Sequence, residues 1–275
     1  MSPPPPASRS GASSASAVPA LYFAPGAPQV ECRERSPDVP PLSPSLEASL
    51  HAARAIVVLS AGWAVMGAAR VTVGSRPETL GENGGPLEEA PYPARGHPAL
   101  AREVAERLSE AGIFTELDRH RGWEPGVWGP LRTLYPAATV PIVQISLSFG
   151  ARAADMAQMG AALAPLRSEG ILLVGSGGSP RSLRPSEVPP WPESFESWVT
   201  ERLGLRDFRG PPHRAELPST ALASPRAAHL LPLFFVLGSA LPADRITRLY
   251  EGCLVAPLSL RSLALCASPQ GVVHT

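Results

Sequence analysis

The feature that most constrains this fold is the alternation of two kinds of apolar segment along the 275-residue chain. Short continuous apolar runs, such as residues 55–60 and 171–175, are typical of strands buried on both faces of a sheet. Other segments repeat apolar residues at helical spacing, as Leu100, Val104 and Leu108 do. Strands that alternate with helices predict an α/β fold, in which one central mixed β-sheet is covered by helices on both faces.

The same patterns place the individual elements. Strands are predicted at residues 20–23, 55–60, 113–117, 140–147, 171–175 and, as a late strand region, 253–265; helices are predicted at residues 98–111, 153–166, 194–203 and 227–240. Residues 1–18 are almost entirely Pro, Ser and Ala, a composition that buries too little to offset its ordering entropy. We therefore predict a disordered tail at 1–18 and a single α/β domain at 19–275.

Composition excludes several classes of function. The 24 acidic and 24 basic residues balance, which argues against a nucleic-acid partner. Every basic residue is Arg, so no lysine is present for catalysis. The three cysteines form no Cys-x-x-Cys pair, and neither a zinc ribbon nor a disulfide framework is predicted. No apolar run reaches the ~20 residues of a membrane span, and the first residues lack the pattern of a signal peptide. A cytoplasmic protein with no membrane partner is predicted.

The stretch from residue 96 to 147 is the most distinctive. It reads Gly-His-Pro-Ala-Leu-Ala at 96–101, Arg-Gly-Trp-Glu-Pro-Gly-Val-Trp-Gly-Pro-Leu at 121–131 and Val-Pro-Ile-Val-Gln-Ile-Ser at 140–146. This resembles the DOPA-dioxygenase-type branch of the class III extradiol ring-cleaving dioxygenases. Further similar segments, at 20–28, 60–64, 175–184 and 223–240, follow in the family's order. The resemblance implies the family's fold and a non-haem iron site, where a histidine acts as acid and base while oxygen attacks a catechol.

The residues at the family's metal positions do not match its chemistry. The resemblance places Pro25 and Gly62 where the family has ligand histidines, and Pro125 where it has the histidine of an Asp-His-Gly pattern. Arg181 lies in the segment that holds the family's catalytic histidine. Of the family's His-Pro-Thr-x-x-His segment only the last histidine is kept, as His229. Neither Pro nor Gly has a side-chain atom that binds a metal, so we predict no metal and no other cofactor.

The turns around the replaced histidines are nevertheless intact, as Gly26, Trp63 and Gly126 show, and random decay of a gene would have eroded them. We therefore predict a pseudoenzyme: a catalytically silent, metal-free homologue that binds a peptide or small anionic ligand in the former active-site cleft. The high-GC character of the composition suggests an accessory protein of natural-product biosynthesis, which presents a substrate or precursor peptide to a partner enzyme.

Arg181 is the predicted anchor of this site, because a guanidinium binds a carboxylate or phosphate bidentately. Glu124 is either a second contact to the ligand or an intramolecular partner of Arg181. The full predicted ligand-binding set is Arg181, His229, Glu124, Trp63, Trp128, Pro25, Gly62 and Pro125. The first alternative is an enzyme with new metal-independent chemistry based on Glu124, Arg181 and His229. The second is a residual extradiol dioxygenase with relocated ligands.

Overall fold

A computed structural model of the chain describes residues 17–23, 42–177, 225–249 and 262–267. The predicted helix at 194–203, most of the predicted strand region at 253–265 and the candidate residues Pro25 and Arg181 lie outside these ranges. Of the predicted tail, only Ala17 and Val18 are described, and Val18 is buried.

Eight strands and five α-helices occur within the described ranges. The strands are β1 (Ala20–Phe23), β2 (Ala55–Val65), β3 (Ala69–Thr72), β4 (Thr115–Asp118), β5 (Ile142–Ser148), β6 (Ile171–Ser176), β7 (Asp244–Arg248) and β8 (Leu263–Ala267). The helices are α1 (Pro44–His51), α2 (Pro98–Glu110), α3 (Pro125–Leu134), α4 (Ala153–Leu163) and α5 (Leu231–Gly238), with 3-10 turns at Ala164–Glu169 and Pro225–Leu230.

All eight strands form one sheet in the order β4-β3-β5-β2-β6-β1-β8-β7. The four central strands β5, β2, β6 and β1 are mutually parallel, whereas β3 pairs antiparallel with β5, and β8 pairs antiparallel with both β1 and β7. The predicted mixed sheet is confirmed. The carboxyl ends of the parallel strands therefore meet at one edge of the sheet, which is where open α/β sheets bind ligands.

Helices cover both faces of the sheet, as predicted. One core contains Leu100 of α2, Met156 of α4 and Phe235 of α5. The core on the opposite face contains Leu50 of α1 and Leu131 of α3. Alternate residues of the central strands point into the two cores, which explains why these strands read as continuous apolar runs.

Helix α2 illustrates how local sequence sets the bounds. Pro98 is its first residue, His97 Nδ1 accepts a hydrogen bond from the Leu100 amide at 3.1 Å, and Gly112 follows its end with a φ of 77°. The predicted helix at 153–166 instead ends at Leu163 and continues as a 3-10 turn. None of the described helices is long and apolar enough to cross a membrane.

Candidate functional site

A bulge at the carboxyl end of β2 is the first component of the site. The register of β2 against β5 shifts between Ser60 and Ala64, so three extra residues leave the regular ladder. Gly62 is exposed there, whereas Trp63 is buried. Bulges beside functional sites re-aim side chains and backbone groups. This one presents the Gly62 backbone at the edge of the sheet where the parallel strands end.

Glu124 faces this bulge from the start of α3. Its side chain is 5% exposed, and both carboxyl oxygens have donors. Ser60 Oγ donates to Oε1, and the Gly126 amide donates to Oε2 at 2.8 Å, which caps the helix. Burial raises the pKa of Glu124 above the usual glutamate value, while these two hydrogen bonds and the charge of Arg121 oppose the rise.

The Glu124 carboxyl group fills the space above Gly62. A β-carbon placed on Gly62 would lie 2.2 Å from Glu124 Oε2 and 2.5 Å from its Cδ. Such distances are far below van der Waals contact, so no larger residue fits at position 62 unless Glu124 moves. Gly62 and Glu124 are therefore sterically complementary.

His229 contacts the backbone that directly follows β6. Ser176 Oγ donates to the Gly126 carbonyl at 2.6 Å, and the Gly177 carbonyl lies 2.5 Å from His229 Nδ1. Because a carbonyl only accepts, Nδ1 donates, and in the neutral ring Nε2 is left as an acceptor. Burial lowers the pKa of His229, an effect opposed by the bond to Gly177.

Two arginines stack on the two tryptophans of the predicted site. The guanidinium carbon of Arg121 lies 5.2 Å from the centroid of the Trp63 ring, and that of Arg132 lies 4.6 Å from the centroid of Trp128. Trp128 Nε1 also donates to the Leu80 carbonyl at 2.9 Å. Trp128 is thus held by its own set of contacts, whereas Trp63 lies directly beside Gly62 in the bulge.

The structure brings several predicted residues together at the ends of β2 and β6, and these are Gly62, Trp63, Glu124, Pro125 and His229. Pro125 is buried as the first residue of α3 and contributes only to the helix start. Ser60 and Ser176, which pair in register, were not predicted as site residues, although each is a small polar residue that follows an apolar run. Arg121 was not predicted either, and no sequence signal marks its stacking on Trp63.

Comparisons with known proteins agree with the fold. A family model described as the catalytic LigB subunit of aromatic ring-opening dioxygenase matches residues 11–238. The chain is 37% identical over 228 residues to 4,5-DOPA dioxygenase extradiol of Escherichia coli K12, which covers 77% of this chain and 82% of that protein. The protein of the same name from Mirabilis jalapa is 34% identical over 161 residues, 56% of this chain and 60% of that one.

A crystal structure points to the same class. An uncharacterized protein of Escherichia coli K12 superposes with a TM-score of 0.66 and 31% identity, covering 90% of this chain and 99% of that one. The fold and these similarities define a protein of the class III extradiol dioxygenase fold. The chain belongs to the LigB family of aromatic ring-opening dioxygenases.

The described residues at the carboxyl end of β2 do not fit the iron that the family implies. Gly62 has no donor atom, and the adjoining space is filled by the Glu124 carboxyl group. Within the described ranges, no three His, Cys, Asp or Glu side chains are grouped so that they hold a metal ion. Outside those ranges, Pro25 also lacks a side-chain donor atom. Among the described residues of this site, His229 supplies a single imidazole, which is too few for a metal site.

Proposed function

We propose that this protein is a catalytically silent, metal-free member of the LigB family, which binds a peptide or small anionic ligand at the carboxyl ends of β2 and β6. The observation that carries the proposal is the Glu124 carboxyl group, which fills the space above Gly62 and is fixed there by Ser60 and Gly126. Gly62 has no side-chain atom that could bind iron, and the Glu124 carboxyl group leaves no room for a larger side chain at position 62.

Several properties of the same region favour ligand binding. Gly62 exposes backbone at the carboxyl end of β2, His229 Nε2 is an acceptor, and the buried Trp63 ring holds the Arg121 guanidinium beside Gly62. Ligand sites contain a few such fixed polar groups. The relatives named above are dioxygenases, so on this proposal the family's ligand-binding location is kept and its metal chemistry is lost.

A peptide is the preferred ligand. Among the described strands, β4 and β7 lie at the two edges of the sheet, and β4 is short and largely exposed. An extended peptide pairs with such an edge through main-chain hydrogen bonds, and its continuation past β3 and β5 would bring a terminus or side chain to the ends of β2 and β6. In an accessory role the protein would present a substrate or precursor peptide to a biosynthetic enzyme in the cytoplasm.

Metal content and oxygen uptake test this proposal. Protein purified without a histidine tag is incubated with iron(II) under anaerobic conditions, dialysed and analysed by mass spectrometry, and oxygen uptake is then recorded with DOPA. The Escherichia coli 4,5-DOPA dioxygenase extradiol is the positive control. We expect iron far below stoichiometry and no uptake above the protein-free rate. Near-stoichiometric iron with DOPA-dependent uptake would overturn the proposal.

The alternative is an enzyme with metal-independent acid–base chemistry. One observation favours it: burial raises the pKa of Glu124 and lowers the pKa of His229, and such perturbed pKa values cluster at catalytic sites. Arg181 would then supply electrostatic stabilisation. The discriminating variant is His229→Gln. Loss of turnover with unchanged ligand affinity would favour the enzyme, whereas weaker binding with no turnover in either protein would favour the binding protein.

A further inference from the structure

Arg121 has binding capacity that the described part of the chain does not use. Its side chain is half-buried, and its Nε is inaccessible to solvent without a hydrogen-bond partner. Within the described ranges its guanidinium makes no ion pair, in contrast to Arg70, Arg107 and Arg167. Burial lowers the pKa of Arg121, while the charges of Glu124 and Asp118 oppose this change. A buried, unpaired donor of this kind requires an explanation.

Two acidic residues lie near this guanidinium, but their oxygens are bound elsewhere. The oxygens of Glu124 accept from Ser60 and from the Gly126 amide. Asp118 Oδ1 accepts from two backbone amides, at His120 and Arg121, and its Oδ2 lies 3.7 Å from the Arg70 guanidinium. Both carboxyl groups contribute negative potential near Arg121, but their oxygens accept these hydrogen bonds from other groups.

The position of Arg121 is also fixed before any ligand arrives. The guanidinium lies over the buried Trp63 ring, an arrangement in which the ring quadrupole attracts the cation. Trp63 is the neighbour of Gly62, whose backbone is exposed. The cation is therefore preorganised beside an accessible part of the bulge, and less side-chain entropy is lost on binding.

We propose that Arg121, held on Trp63, binds the carboxylate of the ligand. A guanidinium matches a carboxylate with two parallel N–H···O bonds. A singly charged carboxylate fits better than a doubly charged phosphate, because the nearby Asp118 carboxylate repels the second negative charge. This inference rests on the proposed ligand-binding function and names its ligand class. The carboxylate belongs either to a small organic acid or to the C-terminus of a peptide.

The test compares matched acid and amide probes by calorimetry and by the shift in melting temperature. The small-molecule pair is phenylacetate and phenylacetamide; the peptide pair is acetyl-Gly-Phe as free acid and as amide; inorganic phosphate is the dianion. We expect one of the acids to bind with a dissociation constant below about 10 mM. Its amide should bind at least tenfold more weakly, because the charge-assisted hydrogen bonds are lost. Whichever acid binds more tightly identifies the source of the carboxylate.

Variants then assign the contact. Arg121→Gln should weaken binding of the acid about tenfold or more, and Arg121→Lys, which keeps the charge without the fork, should fall between it and wild type. Arg119→Gln removes an exposed charge two residues away and should leave binding unchanged. The inference would be overturned if Arg121→Gln bound the acid as tightly as wild type does, or if wild type bound the acid and its amide equally. Tighter binding of phosphate than of the acids, or no binding of any acid, would also overturn it. Because none of these outcomes involves iron, the metal measurement separates failure of this inference from failure of the proposed function.

Discussion

Gly62 and Glu124 are sterically coupled at the scale of single residues, and this coupling predicts the effect of Gly62→Ala. The new methyl group would meet the Glu124 carboxyl group and force it off Ser60 and Gly126. We expect a loss of about 2 kcal/mol in the free energy of unfolding, from broken hydrogen bonds and overpacking. The backbone of Gly62 is outside the left-handed region, so the penalty is steric rather than conformational. Urea denaturation measures it.

The control for this steric effect is the same substitution in a background without the carboxyl group. In Glu124→Ala, Gly62→Ala should cost less than about 0.5 kcal/mol, so the double-mutant cycle should report a large coupling energy. Equal penalties in the two backgrounds would contradict the arrangement.

The buried carboxyl group also predicts a dependence of stability on pH. Because burial raises the pKa of Glu124, the folded state keeps a proton that the unfolded state releases above about pH 4.3. Between that pH and the raised folded-state pKa, the free energy of unfolding contributed by this group falls as pH rises. Glu124→Gln removes the contribution, so its stability relative to wild type should increase from about pH 4.3 upward.

Urea denaturation at a series of pH values measures the difference between the two proteins. The control is Glu106→Gln, which removes an exposed carboxyl group on α2 and should follow the wild-type pH profile. If the free energies of unfolding of wild type and Glu124→Gln depended on pH in the same way, burial would not raise the pKa of Glu124.

At the scale of elements, α4 and α5 approach each other through glycine. A β-carbon on Gly160 would lie 2.0 Å from the Phe235 carbonyl oxygen, and one on Gly238 would lie 2.1 Å from that of Ala157. Alanine normally favours a helix by about 1 kcal/mol over glycine. Gly160→Ala should nevertheless destabilise the protein by about 2 kcal/mol or more, because backbone atoms cannot rotate away. Thermal unfolding measures the loss. Ala161→Ser, on the exposed side of α4, should change the melting temperature little.

The elements differ in how far the sequence predicts them. Strand β1 and most of β5 and β6 follow from their apolar runs. Helix α3 was not predicted, because Pro125, Gly126, Gly129 and Pro130 are poor helix formers. Its formation depends on the cap from Glu124 and on tertiary packing, which a local pattern does not contain. Strands β3 and β7 were missed because arginine and other polar residues interrupt their sequences, so neither forms an apolar run.

The same reasoning explains which part of the site was predictable. Gly62, Glu124 and His229 follow from motifs in the chain. The stacking of Arg121 on Trp63 and the bond from Ser60 to Glu124 depend on the bulge in β2, which separates residues that a regular ladder would pair. Such an interruption is set by tertiary packing, and the sequence gives no local signal for it.

At the scale of the whole molecule, Arg167 connects parts of the chain that are far apart in sequence. Its side chain is fully buried and forms an ion pair with Asp244 at the start of β7. It also donates to the Val18 carbonyl before β1, to the Ser239 carbonyl after α5 and to the Leu265 carbonyl in β8. One guanidinium thus connects the segments at β1, β7, β8 and α5.

This network predicts that substitutions at Arg167 and Asp244 lower the free energy of unfolding in a non-additive way. Arg167→Met leaves Asp244 as a buried, unpaired charge and should lower the free energy of unfolding by about 3–5 kcal/mol, as should Asp244→Leu by stranding the arginine. The double variant removes both charges and should lose clearly less than the sum of the two. The control is Arg107→Met, which breaks the more exposed pairs with Glu103 and Glu169 and should cost less than about 1 kcal/mol. Additive losses in chemical denaturation would mean that Arg167 acts through its three carbonyl contacts alone. Sub-additive losses would show that the ion pair itself holds together the adjacent strands β1, β8 and β7 at one end of the sheet.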